Sequence, residues 1–96
     1  MTKRYFVTYD IADPDRLRRV FKVMKGAGDH VQFSVFRCDL SDVQREVLLA
    51  KLRAEIHAVE DQVLFIDLGP SEGEAEGRVS ALGRSYDEPG RGCVII

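Results

Sequence analysis

His30-Val31-Gln32-Phe33-Ser34-Val35-Phe36-Arg37-Cys38 decides how the chain folds. The run is rich in β-branched and aromatic residues and reads as extended backbone. As one strand it places Val31, Phe33 and Val35 on one face and Gln32, Ser34 and Phe36 on the other. As the start of a hairpin it supplies two strands between two helices. The order β-α-β-α-β then becomes a split β-α-β-β-α-β arrangement, the ferredoxin-like layout.

Upstream, Tyr5-Phe6-Val7-Thr8-Tyr9 is a strand ending at Asp10. Asp13-Pro14-Asp15 opens a helix with a cap acceptor, a proline at the first helical position and an acid in the first turn. Leu17, Val20, Phe21 and Met24 follow at helical spacing, and Lys25-Gly26-Ala27-Gly28 predicts a glycine-terminated end. Downstream, Ser41 and Gln44 form a capping-box pattern for a second helix to about His57, with Val47, Leu48, Leu52 and Ile56 inward. Asp61 to Leu68 reads as a strand stopped by Gly69-Pro70, and residues 69–77 as an acidic, glycine-rich loop. Val79 to Tyr86 and Val94 to Ile96 are short strand candidates. The expectation is one α+β domain over 1–96, a ferredoxin-like sandwich with an extra C-terminal strand.

A sheet covered on one side should alternate apolar and polar residues. Val63-Leu64-Phe65-Ile66 is apolar on both faces, and Phe6 and Phe36 add to the second. A face of that kind left in water would be an apolar patch larger than monomers tolerate, so it predicts a two-fold homodimer through the open sheet face. Phe36, Leu64 and Ile66 are the expected interface residues on that face.

The 96 residues are 45% hydrophobic and 31% charged, a globular composition. No apolar run is long enough to span a bilayer and no signal segment is evident, so a cytoplasmic protein without a membrane partner is expected. Cys38 and Cys93 lack metal-ligand spacing and read as reduced thiols. Residues 1–40 carry eight basic and five acidic side chains, and the remainder six and eleven, for a net charge of −2. A polyanion would therefore meet a local patch and not a basic bulk.

Asp10 either organises the strand-to-helix turn or serves as a ligand. One carboxylate is a poor catalyst, but two symmetry-related copies match the needs of Mg²⁺, which takes one or two carboxylates and keeps several waters. Mg²⁺ (or Mn²⁺) so held could polarise a phosphodiester. Arg16, Arg18, Arg19, Lys22 and Lys25 lie off the Leu17 stripe, as a solvated surface or as a phosphate track.

Tyr9-Asp10-Ile11, an arginine-rich helix, Gln32-Phe33-Ser34-Val35-Phe36 and the Val63-to-Gly69 strand together resemble the CRISPR-associated protein 2 family over nearly the whole chain. That family is the small dimeric subunit of the spacer-acquisition machinery, described as a metal-dependent endonuclease. The resemblance implies a ferredoxin-like homodimer, Asp10 as metal ligand and catalytic residue, and Ser34 as a second catalytic residue near it, bonding a metal water or phosphate. It further implies that the C-terminal tail from about 79 to 96 pairs with the partner subunit, which adds Val94 and Ile95 to the interface. It also implies partners: the larger integrase subunit of the CRISPR-associated protein 1 family, and duplex DNA or single-stranded RNA. His30 and Arg37 stand where the family often has an arginine and an acid, so Arg37 is expected to shift the basic track.

Two classes of function follow. One is an endonuclease cleaving RNA or DNA with Asp10 and a divalent cation. The other is a non-catalytic DNA-binding scaffold between integrase dimers, with the acidic stretch 72–76 turned from the duplex. A small-molecule regulatory module on the same architecture leaves the paired motifs unexplained.

Overall fold

A computed structural model describes residues 1–71 and 80–84. The elements run β1 (Lys3–Asp10), α1 (Pro14–Lys25), β2 (Asp29–Gln32), β3 (Val35–Leu40), α2 (Asp42–Glu55) and β4 (Gln62–Pro70). The strands form one sheet of order β2-β3-β1-β4, every neighbouring pair antiparallel. This is the expected split β-α-β-β-α-β fold, with the chain turning at Phe33 and Ser34 so that the decisive stretch is a hairpin. Both helix starts follow their sequence signals. The Asp13 carboxylate accepts from the Arg16 amide at 2.9 Å. Ser41 and Gln44 make both bonds of a capping box, at 3.1 and 2.8 Å.

The helices cover one face of the sheet. Tyr5, Val7, Tyr9, Phe36, Cys38 and Leu40 from the strands pack against Val20 and Met24 of α1 and Leu48 and Leu52 of α2. Phe36 and Met24 are fully buried, so truncating either to alanine would cost about 2–5 kcal/mol.

Several expectations are corrected. Phe36 does not line the open face: its register partner is Val7, which places it under the helices in the monomer's own core. Leu17 and Val47 are exposed and stand outside the core that their helical spacing predicts, each lining a surface cleft instead. β4 continues through Gly69 and Pro70, which an edge strand permits because a missing amide there faces no neighbour. α1 ends without a left-handed glycine: Gly26 caps it at φ −79°. Of the strand expected over 79–86, residues 80–84 are described and hold no strand. Its remainder, the loop from 72, and the 94–96 strand with Val94 and Ile95 lie outside the described residues.

The other sheet face keeps part of the expected apolar surface, Phe6, Leu64 and Ile66, interspersed with polar residues. Directly opposed residues share a face, so Phe6 with Ile66, Thr8 with Leu64 and Asp10 with Gln62 form its rows. Leu64 and Ile66 keep 48% and 45% of their surface exposed. No helix among the described residues is long and apolar enough to cross a membrane.

Candidate functional site at the end of the first strand

Asp10 is the last residue of β1 and is exposed. Alternation along the strand buries Tyr9 towards the helices and turns Asp10 to the open sheet face. Among the described residues its carboxylate has no hydrogen-bond or ion-pair partner. No three His, Cys, Asp or Glu side chains gather as a metal cluster within the described part of one chain. Asp10 is thus a lone hard oxygen donor, beside an apolar face.

The loop leaving Asp10 is fixed by Asp61, whose role the sequence did not reveal. The Asp61 side chain accepts from the amides of Ala12 at 2.9 Å and His57 at 2.7 Å. It also accepts from Arg16 Nε at 2.8 Å and a second Arg16 nitrogen at 3.1 Å. It lies near the molecular surface, yet these partners leave none of it in contact with water. The Arg16 hydrogen bonds, aided by the two amides, hold its carboxyl well below the usual carboxylate range against the opposing effect of desolvation. Glu60 adds a further contact to Arg16 at 3.1 Å.

That geometry corrects the expected phosphate track. Arg16 is consumed by Asp61 and Glu60 and acts as a bracket beneath the Asp10 loop. Arg37 is also withdrawn: only 8% of its side chain is exposed, with carboxylates of Asp29 and Asp39 at 3.6 and 3.5 Å. Its place in β3 puts it beside Phe6 on the open sheet face, away from α1. Arg18, Arg19 and Lys22 remain exposed on α1. Arg18 contacts Asp15 and Arg19 contacts Glu55. Exposed pairs of this kind contribute only about 0–1 kcal/mol, so a phosphate can displace either acid.

Ser34 lies at the hairpin turn, where its carbonyl accepts from the Tyr9 amide at 3.1 Å. Burial pushes the Tyr9 phenol up, and the Ser34 side chain pulls it partly back. Ser34 therefore meets Tyr9, the neighbour of Asp10 whose ring is turned to the opposite face. His30 packs its ring against Phe21 and Phe36 at 5.5 and 5.0 Å between centroids. The sequence motif Tyr9-Asp10 pointed to the right strand end. Asp61 carries no comparable signal, since a contact across 45 positions leaves no local spacing to read.

The comparisons with known proteins agree with this architecture. The family model for CRISPR associated protein Cas2 matches residues 2–74. CRISPR-associated endoribonuclease Cas2 1 of Rhodospirillum rubrum is 45% identical over 92 residues, covering 96% of this chain and 89% of that protein. CRISPR-associated endoribonuclease Cas2 of Geobacter sulfurreducens is 38% identical over 96 residues, covering 100% of both. The crystal structure of Streptococcus pyogenes Cas2 at pH 6.5 is similar with a TM-score of 0.72 and 31% identity, over 83% of this chain and 99% of that one. Sequence, fold and strand-end motif converge, and the chain belongs to the CRISPR-associated protein Cas2 family.

Proposed function

We propose that this chain is a metal-dependent endonuclease of CRISPR spacer acquisition, cleaving phosphodiester bonds in RNA or DNA as a two-fold homodimer joined through the open sheet face. The observation that carries the reading is the Asp10 carboxylate, exposed at the end of β1 without a described partner, on the face that also bears Leu64 and Ile66. The relatives' naming as endoribonucleases supports RNA as the substrate.

A single hard oxygen donor suits Mg²⁺ or Mn²⁺ only where a second subunit contributes its own Asp10, and one or two carboxylates with several waters are then enough. A divalent cation bound there supplies charge that stabilises the oxygens of a phosphodiester undergoing displacement. The chain's own residues provide the rest. The Asp61–Arg16 bracket fixes the loop after Asp10. Arg18, Arg19 and Lys22 hold neighbouring phosphates. Ser34 holds Tyr9, the strand neighbour of Asp10, from the opposite side of the sheet. Exchanging Asp10→Asn should leave the oligomeric state intact and abolish Mg²⁺-dependent cleavage of labelled RNA and duplex DNA. Turnover equal to wild type in that variant refutes the catalytic reading.

The lack of a third metal donor near Asp10 among the described residues favours one second reading. In it the dimer is a scaffold that lays duplex DNA on Arg18, Arg19 and Lys22 and holds the larger integrase subunits apart. Spacer acquisition unaffected by Asp10→Asn, together with loss of duplex binding on charge reversal at Arg18 and Lys22, would select it.

A further inference from the structure

At the tip of the β2–β3 hairpin, Phe33 leaves 90% of its surface in water and adopts φ 31°, a left-handed conformation uncommon for an aromatic residue. A chain that needed only a tight turn would place glycine or asparagine there. The ring borders a cleft of about 490 Å³ whose other walls are Tyr9, Leu17, Phe21 and Ser34, with Arg18 and Lys22 also lining it. The lining thus holds three aromatic rings, two cations, two hydroxyls and no acid.

We propose that this cleft is a subsite for one unpaired nucleobase of a single-stranded nucleic acid, stacked on Phe33 with its flanking phosphate on Arg18 and Lys22. Three features select this occupant. An exposed aromatic face with nearby cations is the pairing that single-stranded nucleic-acid sites use, because every base has a π-face and every nucleotide a phosphate. The lining itself supplies no acid to a basic peptide, and its predominantly apolar surface suits the flat face of a base. A base inside a duplex is already stacked and cannot present its face to Phe33.

The cleft opens at the end of β1, one residue from Asp10 but on the opposite side of the strand. A strand anchored there would pass around the strand end to Asp10. That continuation rests on the nuclease reading; the stacking itself does not.

The test uses the full-length protein in EDTA, so that binding is read without cleavage. Fluorescence anisotropy with labelled single-stranded RNA and DNA dodecamers and with a matching duplex is compared for wild type, Phe33→Ala and Phe33→Trp. Loss of one stacked base should weaken single-strand binding about five- to 150-fold in Phe33→Ala. Duplex binding should be unchanged, and Phe33→Trp should restore the single-strand affinity. A 2-aminopurine placed within the strand should be quenched by wild type and not by Phe33→Ala. Equal affinity of Phe33→Ala and wild type for single strands overturns the proposal, as does an equal loss on duplex. A shift of Phe33→Ala to a smaller sedimenting species would instead mark the ring as a contact with a second copy, and would also overturn it. Failure of the nuclease reading appears separately, as cleavage that survives Asp10→Asn while the anisotropy results stand.

Discussion

Gly28 lies where the exit of α1 crosses β3, and replacing it with alanine isolates a single steric demand. A Cβ there would sit 2.3 Å from the Arg37 carbonyl oxygen and 2.6 Å from Cys38 Sγ. Ordinary contact begins at 3.4 Å, so backbone and backbone must part by about 1 Å. The carbonyl cannot swing aside as a long side chain would, because β3 is paired on both of its edges. Overpacking of this sort costs about 1–3 kcal/mol. For a domain of this size each kcal/mol moves the midpoint by about 4–8 °C, so Tm should fall by about 4–24 °C. Gly26→Ala is the matched control: it stands two residues earlier, its nearest contact is 3.5 Å, and its φ of −79° suits any residue. That variant should be neutral or gain up to about 1 kcal/mol. Thermal unfolding by far-UV circular dichroism at one protein concentration compares the three proteins. Gly28→Ala melting together with wild type would show that α1 and β3 are not pressed together as described. Because β3 carries the hairpin with Phe33 and Ser34, the same variant should also loosen the cleft beside Tyr9.

Three further outcomes are expected. Leu64→Glu with Ile66→Glu places carboxylates on the half-exposed open face. It should weaken self-association at least tenfold, about 1.4 kcal/mol, by sedimentation, and an unchanged mass at the same concentration would remove the proposed seam. Burial, with help from Asp39 and Asp29 and against Arg37, pushes the Cys38 thiol up to about 11, leaving about one thiolate in a thousand at pH 8. In a Cys93→Ser background, alkylation should therefore be negligible until urea is added, and reaction at the rate of a free thiol would contradict the burial of Cys38. The Asp61 carboxyl is depressed in the folded state, so its stabilisation is complete above the ordinary value near 3.9 and fades as pH falls towards the lower folded value. Urea melts of Asp61→Asn should show lower stability at neutral pH and a flatter decline below about pH 4 than wild type, and parallel curves would reject the bracket.

Local chemistry made much of this fold readable. Asp13-Pro14 and Ser41 with Gln44 set both helix starts because capping is decided within four residues. The hairpin over 30–38 was readable once two helices had to be joined to one sheet, and Asp10 because it ends an aromatic strand. Tertiary contacts defeated the rest. The position of Phe36 depended on a register with Val7, and a slip of one residue moves a side chain to the other face. Arg16 and Arg37 looked like surface cations because Asp61 and Asp29, acids that each one meets, come from other segments of the chain. Leu17 fits the apolar stripe of α1 by spacing alone, yet it stays outside the core and becomes a wall of the cleft.

The single Asp61 side chain that joins the amides of Ala12 and His57 to Arg16 has a dynamic consequence. Two connections, one after β1 and one before β4, share an acceptor and cannot open independently. The backbone just beyond Asp10 is released only when the far connection lets go as well, so the rate at which this corner breathes belongs to both stretches jointly, and hydrogen exchange at Ala12 and His57 should report one common opening event.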